Sequence, residues 1–181
     1  VDDALRLLCK YYPTEHPSHH VLLDHSRLVA QKAVAVASRV SAQVNVCFVE
    51  EAALLHDIGI SETYAPKLGC YGSLHYLCHG VIGRQILEKE GWYAHALVCE
   101  RHIGVGLTVA DIQEQDLPLP LRDMRPQSLE EKIVAYADLF FSKSKVINGG
   151  ERSVAEVRSS LCRFGEEKGR IFDQWHALFG G

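Results

Sequence analysis

Leu54-Leu55-His56-Asp57-Ile58-Gly59 closes an apolar helical run on a histidine and an aspartate placed side by side. A polar group inside a helical bundle must be paired, hydrogen-bonded or metal-bound. Further candidates lie on both sides of the pair: His25 upstream, and His79, His102 and Asp138 downstream. Asp138 sits within Ile133-Val134-Ala135-Tyr136-Ala137-Asp138-Leu139-Phe140-Phe141, so its carboxylate has apolar neighbours on either side. A buried carboxylate without a cation is costly and calls for a partner. Four imidazoles and two carboxylates suit one or two divalent metal ions. Each position also has an ordinary structural reading. His25 suits a core histidine, His79 a helix N-terminus and His102 a helix C-terminus, and Asp138 suits a partner for Lys132, Lys143 or Arg122. One shared cavity accounts for all of them together.

Working outward, the period is helical nearly everywhere, which predicts an all-α bundle. The pattern predicts helices over Val1 to Tyr12, from Ser18 or His19 to about Gln43, and from about Phe48 to Asp57. Gly59 is expected to stop the third. On the second, Leu28, Val29, Lys32 and Val36 share a side with His25, which turns His25 toward the core. Ser61 to Tyr76 holds Pro66, Gly69 and Gly72 and reads as a loop beside the His-Asp pair. Further helices are expected from His75–Cys78 to near Gly91, from Tyr93 to His102, and over Val109 to Gln115. Leu117 to Pro126 reads as extended, either a connector or a lid. Ser128 and Glu131 form a capping box. It opens a helix through about Lys145 that carries Asp138, and Asn148-Gly149-Gly150 is a turn. A last helix is expected over Ser153 to Phe179. No strand, repeat or low-complexity tract stands out.

The 181 residues suit one domain, 1–181, with a metal-binding core of about 20–145 and a C-terminal helix of about 153–179. A hydrophobic fraction of 47% supports a real core, and a net charge of −4 gives no general basis for binding a nucleic-acid duplex or a membrane surface. No apolar run reaches the roughly 18 residues of a membrane span. Ten histidines are many for this length; His16, His19 and His20, in a Pro-bounded stretch, read as solvated. The six cysteines form no CxxC pair and fit reduced thiols in a cytoplasmic protein. The chain opens on Val1 rather than methionine, which leaves an earlier segment open. Trp92, Tyr93 and Trp175 read as core or interface aromatics. The last helix suits a homodimer or intramolecular packing equally.

The ordered set His25, His56-Asp57 and Asp138 resembles the HD-domain superfamily of metal-dependent phosphohydrolases, in its HDIG-type branch. His79 (in Cys78-His79-Gly80) and His102 (in Arg101-His102-Ile103) resemble the additional ligands of members that hold two metals. The resemblance covers roughly Asp24 to Lys143. It implies an HD-domain helical bundle in which His25, His56, Asp57 and Asp138 bind a first ion. Asp57 would bridge to a second, completed by His79 and His102. Many relatives carry a lysine after the HDIG glycine, where this chain has Ile60. Lys67, Arg84, Arg101 and Lys143 are then the candidates for contact with a substrate phosphate.

The chemistry this implies is hydrolysis of a phosphate ester or anhydride in a nucleotide or another small phosphorylated metabolite. Two ions about 3.5–4 Å apart lower the pKa of a shared water, with Asp57 and His56 as the catalytic pair. No GxSxG, P-loop or Cys-His-Asn signature offers a covalent nucleophile. Mixed imidazole and carboxylate ligands favour iron or manganese, with magnesium, nickel or cobalt as alternatives. Two other readings keep the same residues. One is an HD-fold diiron oxygenase, for which Tyr12 and Glu15 are the nearest counterparts of iron-guarding residues, at a spacing to His25 that matches poorly. The other is a non-catalytic sensor or partner-binding bundle.

Overall fold

The computed structural model describes residues 1–40, 43–143 and 150–180. Nine α-helices occur among the described residues: α1 (Asp2–Tyr11), α2 (His19–Val40), α3 (Val46–Leu55), α4 (His79–Lys89), α5 (Tyr93–Arg101), α6 (Val109–Glu114), α7 (Leu129–Asp138), α8 (Val154–Cys162) and α9 (Glu166–Phe179). The architecture is all-α. α2 runs along α3 and α7, α4 pairs with α5, and α8 pairs with α9. One apolar core joins all of them but α6: Leu8 of α1, Val29 of α2, Leu55 of α3, Val98 of α5, Ile133 of α7, and Phe172 of α9 all belong to it.

Five features differ from the sequence reading. α3 ends at Leu55, and His56 and Asp57 form the turn that follows it. Gly59 does not stop α3 in a left-handed conformation. It lies in a 3-10 turn (Ile58–Glu62), where a Cβ would collide with the His79 carbonyl oxygen and the Gly83 backbone. Its role is close approach of two chain segments. α7 ends at Asp138; the reading that carried it to Lys145 runs beyond the described residues, as does Asn148-Gly149 of the expected turn. The expected final helix is two helices, broken at Gly165, whose φ of 130° lies in a region that side chains avoid. The loop after the His-Asp pair holds a hairpin, β1 (Tyr64–Ala65) antiparallel to β2 (Cys70–Tyr71).

The caps follow ordinary chemistry. Asn45 caps α3 by accepting from the Phe48 amide at 3.0 Å. Ser128 accepts from the Glu131 amide at 3.1 Å, but the expected return bond is absent. Glu131 instead accepts from the Gln127 amide and from Arg101. Leu117 to Pro126 packs down as a connector: Leu119 and Met124 are buried with Val81 and Ile112 in a small second cluster.

Candidate metal centre

All six predicted side chains converge, and five elements supply them. α2 provides His25 in mid-helix. The turn after α3 provides His56 and Asp57. α4 begins with His79, α5 is followed by His102, and α7 ends with Asp138. Helix ends suit this purpose, because a side chain there can reach inward without disturbing the packed face. His25, His56, Asp57, His79 and His102 are buried, and Asp138 nearly so.

The contacts fall into two groups that share one residue. In the first, His25 Nε2 lies 3.0 Å from Asp138 Oδ1 and 3.3 Å from Asp57 Oδ2. His56 Nε2 lies 3.1 Å from Asp57 Oδ2, 3.4 Å from Asp138 Oδ1 and 3.3 Å from His25 Nε2. In the second, Asp57 Oδ1 lies 3.5 Å from His79 Nε2 and 3.6 Å from His102 Nε2, which are 3.1 Å from each other. The Asp57 carboxylate therefore points one oxygen into each group.

Hydrogen bonding fixes which atoms face inward. The Nδ1 atoms of His56, His79 and His102 donate to the carbonyls of Ala53, Tyr76 and Cys99, each three residues earlier, at 2.6, 2.7 and 2.7 Å. A carbonyl only accepts, so Nδ1 carries the proton and, in the neutral ring, Nε2 presents a bare lone pair. These lone pairs face one another and the carboxylates at 3.1–3.6 Å. Asp57 Oδ1, Asp57 Oδ2 and Asp138 Oδ1 are buried yet accept no well-directed hydrogen bond. Lys143 offers one cationic donor, to Asp57 Oδ2, but the remaining acceptors converge without one, which is unfavourable unless a further cation sits among them. Imidazole nitrogens with carboxylate oxygens are a donor set for borderline divalent metals, so the residues present fit such an ion.

The electrostatics are those of a cavity that wants positive charge. Burial disfavours the charged form of His56, but Asp57 and Asp138 outweigh it and push its pKa up to about 10. Burial, reinforced by His56 and His79, drives His102 down to about 3. Burial also works against both carboxylates, yet His56 and Lys143 hold Asp57 well below the usual range. Lys143, His25 and His56 do the same for Asp138.

Of the four residues proposed to meet a substrate phosphate, two reach this region. Lys143 Nζ lies 2.7 Å from Asp57 Oδ2. With Lys67, Tyr76, Asp138 and Arg152, Lys143 lines a cleft of about 370 Å³. Arg84 and Arg101 are not among the lining residues. Arg84 pairs with Glu88 and the buried Glu100 at 2.7 and 2.6 Å, and Arg101 pairs with Glu131 at 3.0 Å. Both arginines are placed as struts between helices. Sequence reasoning missed Tyr76 and Arg152. Tyr76 was legible as the residue three before His79, whereas Arg152 comes from a distant segment with no spacing signal.

Other histidine and oxygenase expectations resolve differently. His19 is buried at the start of α2 with Nδ1 2.7 Å from the Tyr12 carbonyl, so it is not a solvated loop residue. The Tyr12 hydroxyl donates to the Ile58 carbonyl at 2.9 Å and accepts from the Ser61 amide at 2.8 Å, while Glu15 is exposed. Tyr12 thus braces the turn behind Asp57.

The HD domain family model matches residues 22–141, and the chain belongs to the HD-domain family. An uncharacterized protein of Methanocaldococcus jannaschii is 38% identical over 144 residues, covering 78% of this chain and 74% of that protein. A tRNA (cytidine(56)-2'-O)-methyltransferase of Thermoplasma volcanium is 33% identical over 143 residues, 78% of this chain but 36% of that protein. A protein of the same name from Picrophilus torridus is 37% identical over 97 residues, 53% of this chain and 25% of that protein. The chain therefore matches only about a third or less of the methyltransferase-named relatives. Among solved structures, the HD domain of the L. monocytogenes phosphodiesterase PgpH superposes with a TM-score of 0.55 at 18% identity, over 96% of this chain and 97% of that one. That likeness is one of fold.

Proposed function

We propose that this chain is a metal-dependent phosphohydrolase acting on a phosphate ester or anhydride of a nucleotide or small phosphorylated metabolite. The observation that carries the reading is the division of the Asp57 carboxylate between two histidine groups. In this reading His25, His56, Asp57 and Asp138 hold one divalent ion, and Asp57, His79 and His102 hold a second. Iron or manganese suits the imidazole content best. Such ions supply Lewis acidity toward a phosphoryl group and a water nucleophile at neutral pH.

The chain's own residues do the rest. The carbonyls of Ala53, Tyr76 and Cys99 hold three imidazoles in one tautomer, so the inward nitrogens need no rearrangement during turnover. Asp57, at the junction of the two groups, and His56 beside it are the catalytic pair. Lys143, Lys67 and Arg152 bring positive charge to the cleft and receive the phosphate. In the overall reaction one P–O bond forms from water and the P–O bond to the leaving group breaks. No electrons are exchanged, so no dioxygen is consumed. Among the described residues no helix is long and apolar enough to cross a membrane. The exposed free thiols of Cys9 and Cys47 suit a reducing, cytoplasmic setting.

The test is phosphate release from a panel of nucleotides and phosphoesters, with manganese or iron supplied and oxygen uptake recorded in parallel. Wild type releases phosphate without oxygen uptake, and Asp57→Ala loses at least about a hundred-fold in rate. Equal release by the two proteins, or turnover that requires oxygen, overturns the reading.

A further inference from the structure

A second cavity, of about 270 Å³, lies beside the metal centre and has the opposite character. Its walls include Leu77, Ile103, Leu107, Leu139 and Leu161, with Phe164 among the residues that line it. Its position follows from the chain. Leu77 stands two residues before His79, Ile103 directly after His102, and Leu139 directly after Asp138. The neighbouring residues Tyr76 and Asp138 line the cationic cleft instead. At two points the chain thus separates a polar cleft from an apolar pocket within a single residue step.

The pocket is preformed. Gly104 and Gly106 turn the Ile103–Leu107 loop through positive φ of 60° and 93°. Leu107 and Met124 exchange backbone hydrogen bonds at 3.4 and 2.8 Å. The buried Lys168 ammonium donates to the Gly106 carbonyl at 3.2 Å and pairs with Asp111 Oδ2 at 2.5 Å, so this cation pins the loop and is already neutralised. A phosphate has no reason to enter such a space, because its charge would be desolvated without compensation. The volume lies just under the ~300–1,000 Å³ of pockets that take a whole small molecule, which leaves room for one ring system. Phe164 is 64% exposed, an apolar ring left in water beside the cavity. An aromatic face in that position offers stacking to another flat ring.

We infer that this pocket holds the organic part of the substrate, a one-ring aromatic group such as a pyrimidine base, while the phosphate occupies the cleft of Lys143 and Arg152. The inference rests on the phosphohydrolase reading for the phosphate end only. Ser160 lines the pocket and is partly exposed, so Ser160→Trp fills it from the rim. Phe164→Ala removes the stacking face with little risk to folding.

Isothermal titration with uridine, which has no phosphate, tests the pocket by itself. Wild type binds uridine, Ser160→Trp weakens binding at least about ten-fold, and Phe164→Ala weakens it about five-fold or more. In parallel, the kcat/KM ratio for uridine 5′-monophosphate over glycerol 3-phosphate falls about ten-fold in Ser160→Trp. Absence of uridine binding to wild type, or equal binding by all three proteins, overturns the inference even if phosphate is released from the panel. Uridine binding with the expected variant pattern, but no phosphate release from any compound, upholds the pocket and overturns the phosphohydrolase reading instead.

Discussion

The backbone of Gly59 packs so closely on the carbonyl of His79 that no Cβ fits between them. Gly59 follows the His-Asp pair of one histidine group by two residues, and His79 belongs to the other. This contact sets the distance at which α4 approaches the turn after α3. It therefore sets how the two oxygens of Asp57 meet the two groups. Cys99 continues the same seam: its thiol donates to the His56 carbonyl at 2.9 Å and lies where a Cβ on Gly83 would go.

Gly59→Ala should accordingly damage stability and site together. Overpacking a closed contact costs ~1–3 kcal/mol. Thermal unfolding should show a fall of about 2–4 °C per kcal/mol. Metal affinity at the His79–His102 group should fall in the same variant, measured by titration with manganese. An unchanged melting temperature would show that the contact relaxes freely.

Lys143 and Lys67 are assigned to the phosphate, so their loss should appear in substrate binding. A hydrogen bond to a charged group contributes ~1.5–3 kcal/mol. Lys143→Met should raise KM by ten-fold or more. Lys67→Ala, at an exposed position on the hairpin turn, should raise it less. Arg84→Ala should leave KM near the wild-type value, because that side chain is engaged by Glu88 and Glu100. Steady-state kinetics on whichever compound the phosphate-release panel identifies separates the three.

Acid stability should depend on Asp111. Its carboxylate is desolvated by burial, but Lys168 and the amide and hydroxyl of Thr108 outweigh that and hold its pKa below the ordinary 3.8. A depressed folded-state pKa stabilises above the unfolded value, and the contribution is lost as pH falls through the folded one. Asp111→Asn strands the buried Lys168 charge and should cost about 3 kcal/mol near neutrality. The gap between wild type and variant, read from urea midpoints, should persist down to about pH 4 and close below it. A gap that stayed constant down to pH 2 would show that the carboxylate charge contributes nothing.

The candidate site was legible in the sequence because its residues break their surroundings. His56, Asp57 and Asp138 interrupt apolar runs, and His25 shares a helical face with Val29 and Val36. Most of the helices were likewise carried by a 3.6-residue apolar period. What escaped was set by short-range or long-range effects outside that period. The strands Tyr64–Ala65 and Cys70–Tyr71 are two residues each, too short to show alternation. Gly165 divided a helix whose apolar pattern continues on both sides of it. Arg152 reaches the cleft only through the fold. Charge alone did not separate Arg84 and Arg101 from Lys67 and Lys143; only the fold shows which of them line the cleft.

The most direct measurement is the divalent metal content per folded chain, by elemental analysis of protein purified anaerobically without chelator or added metal. Wild type should carry two transition-metal ions, the His79→Ala, His102→Ala double variant one, and Asp57→Ala fewer than one. Wild-type protein that binds no transition metal, even after manganese or iron is supplied, would contradict this.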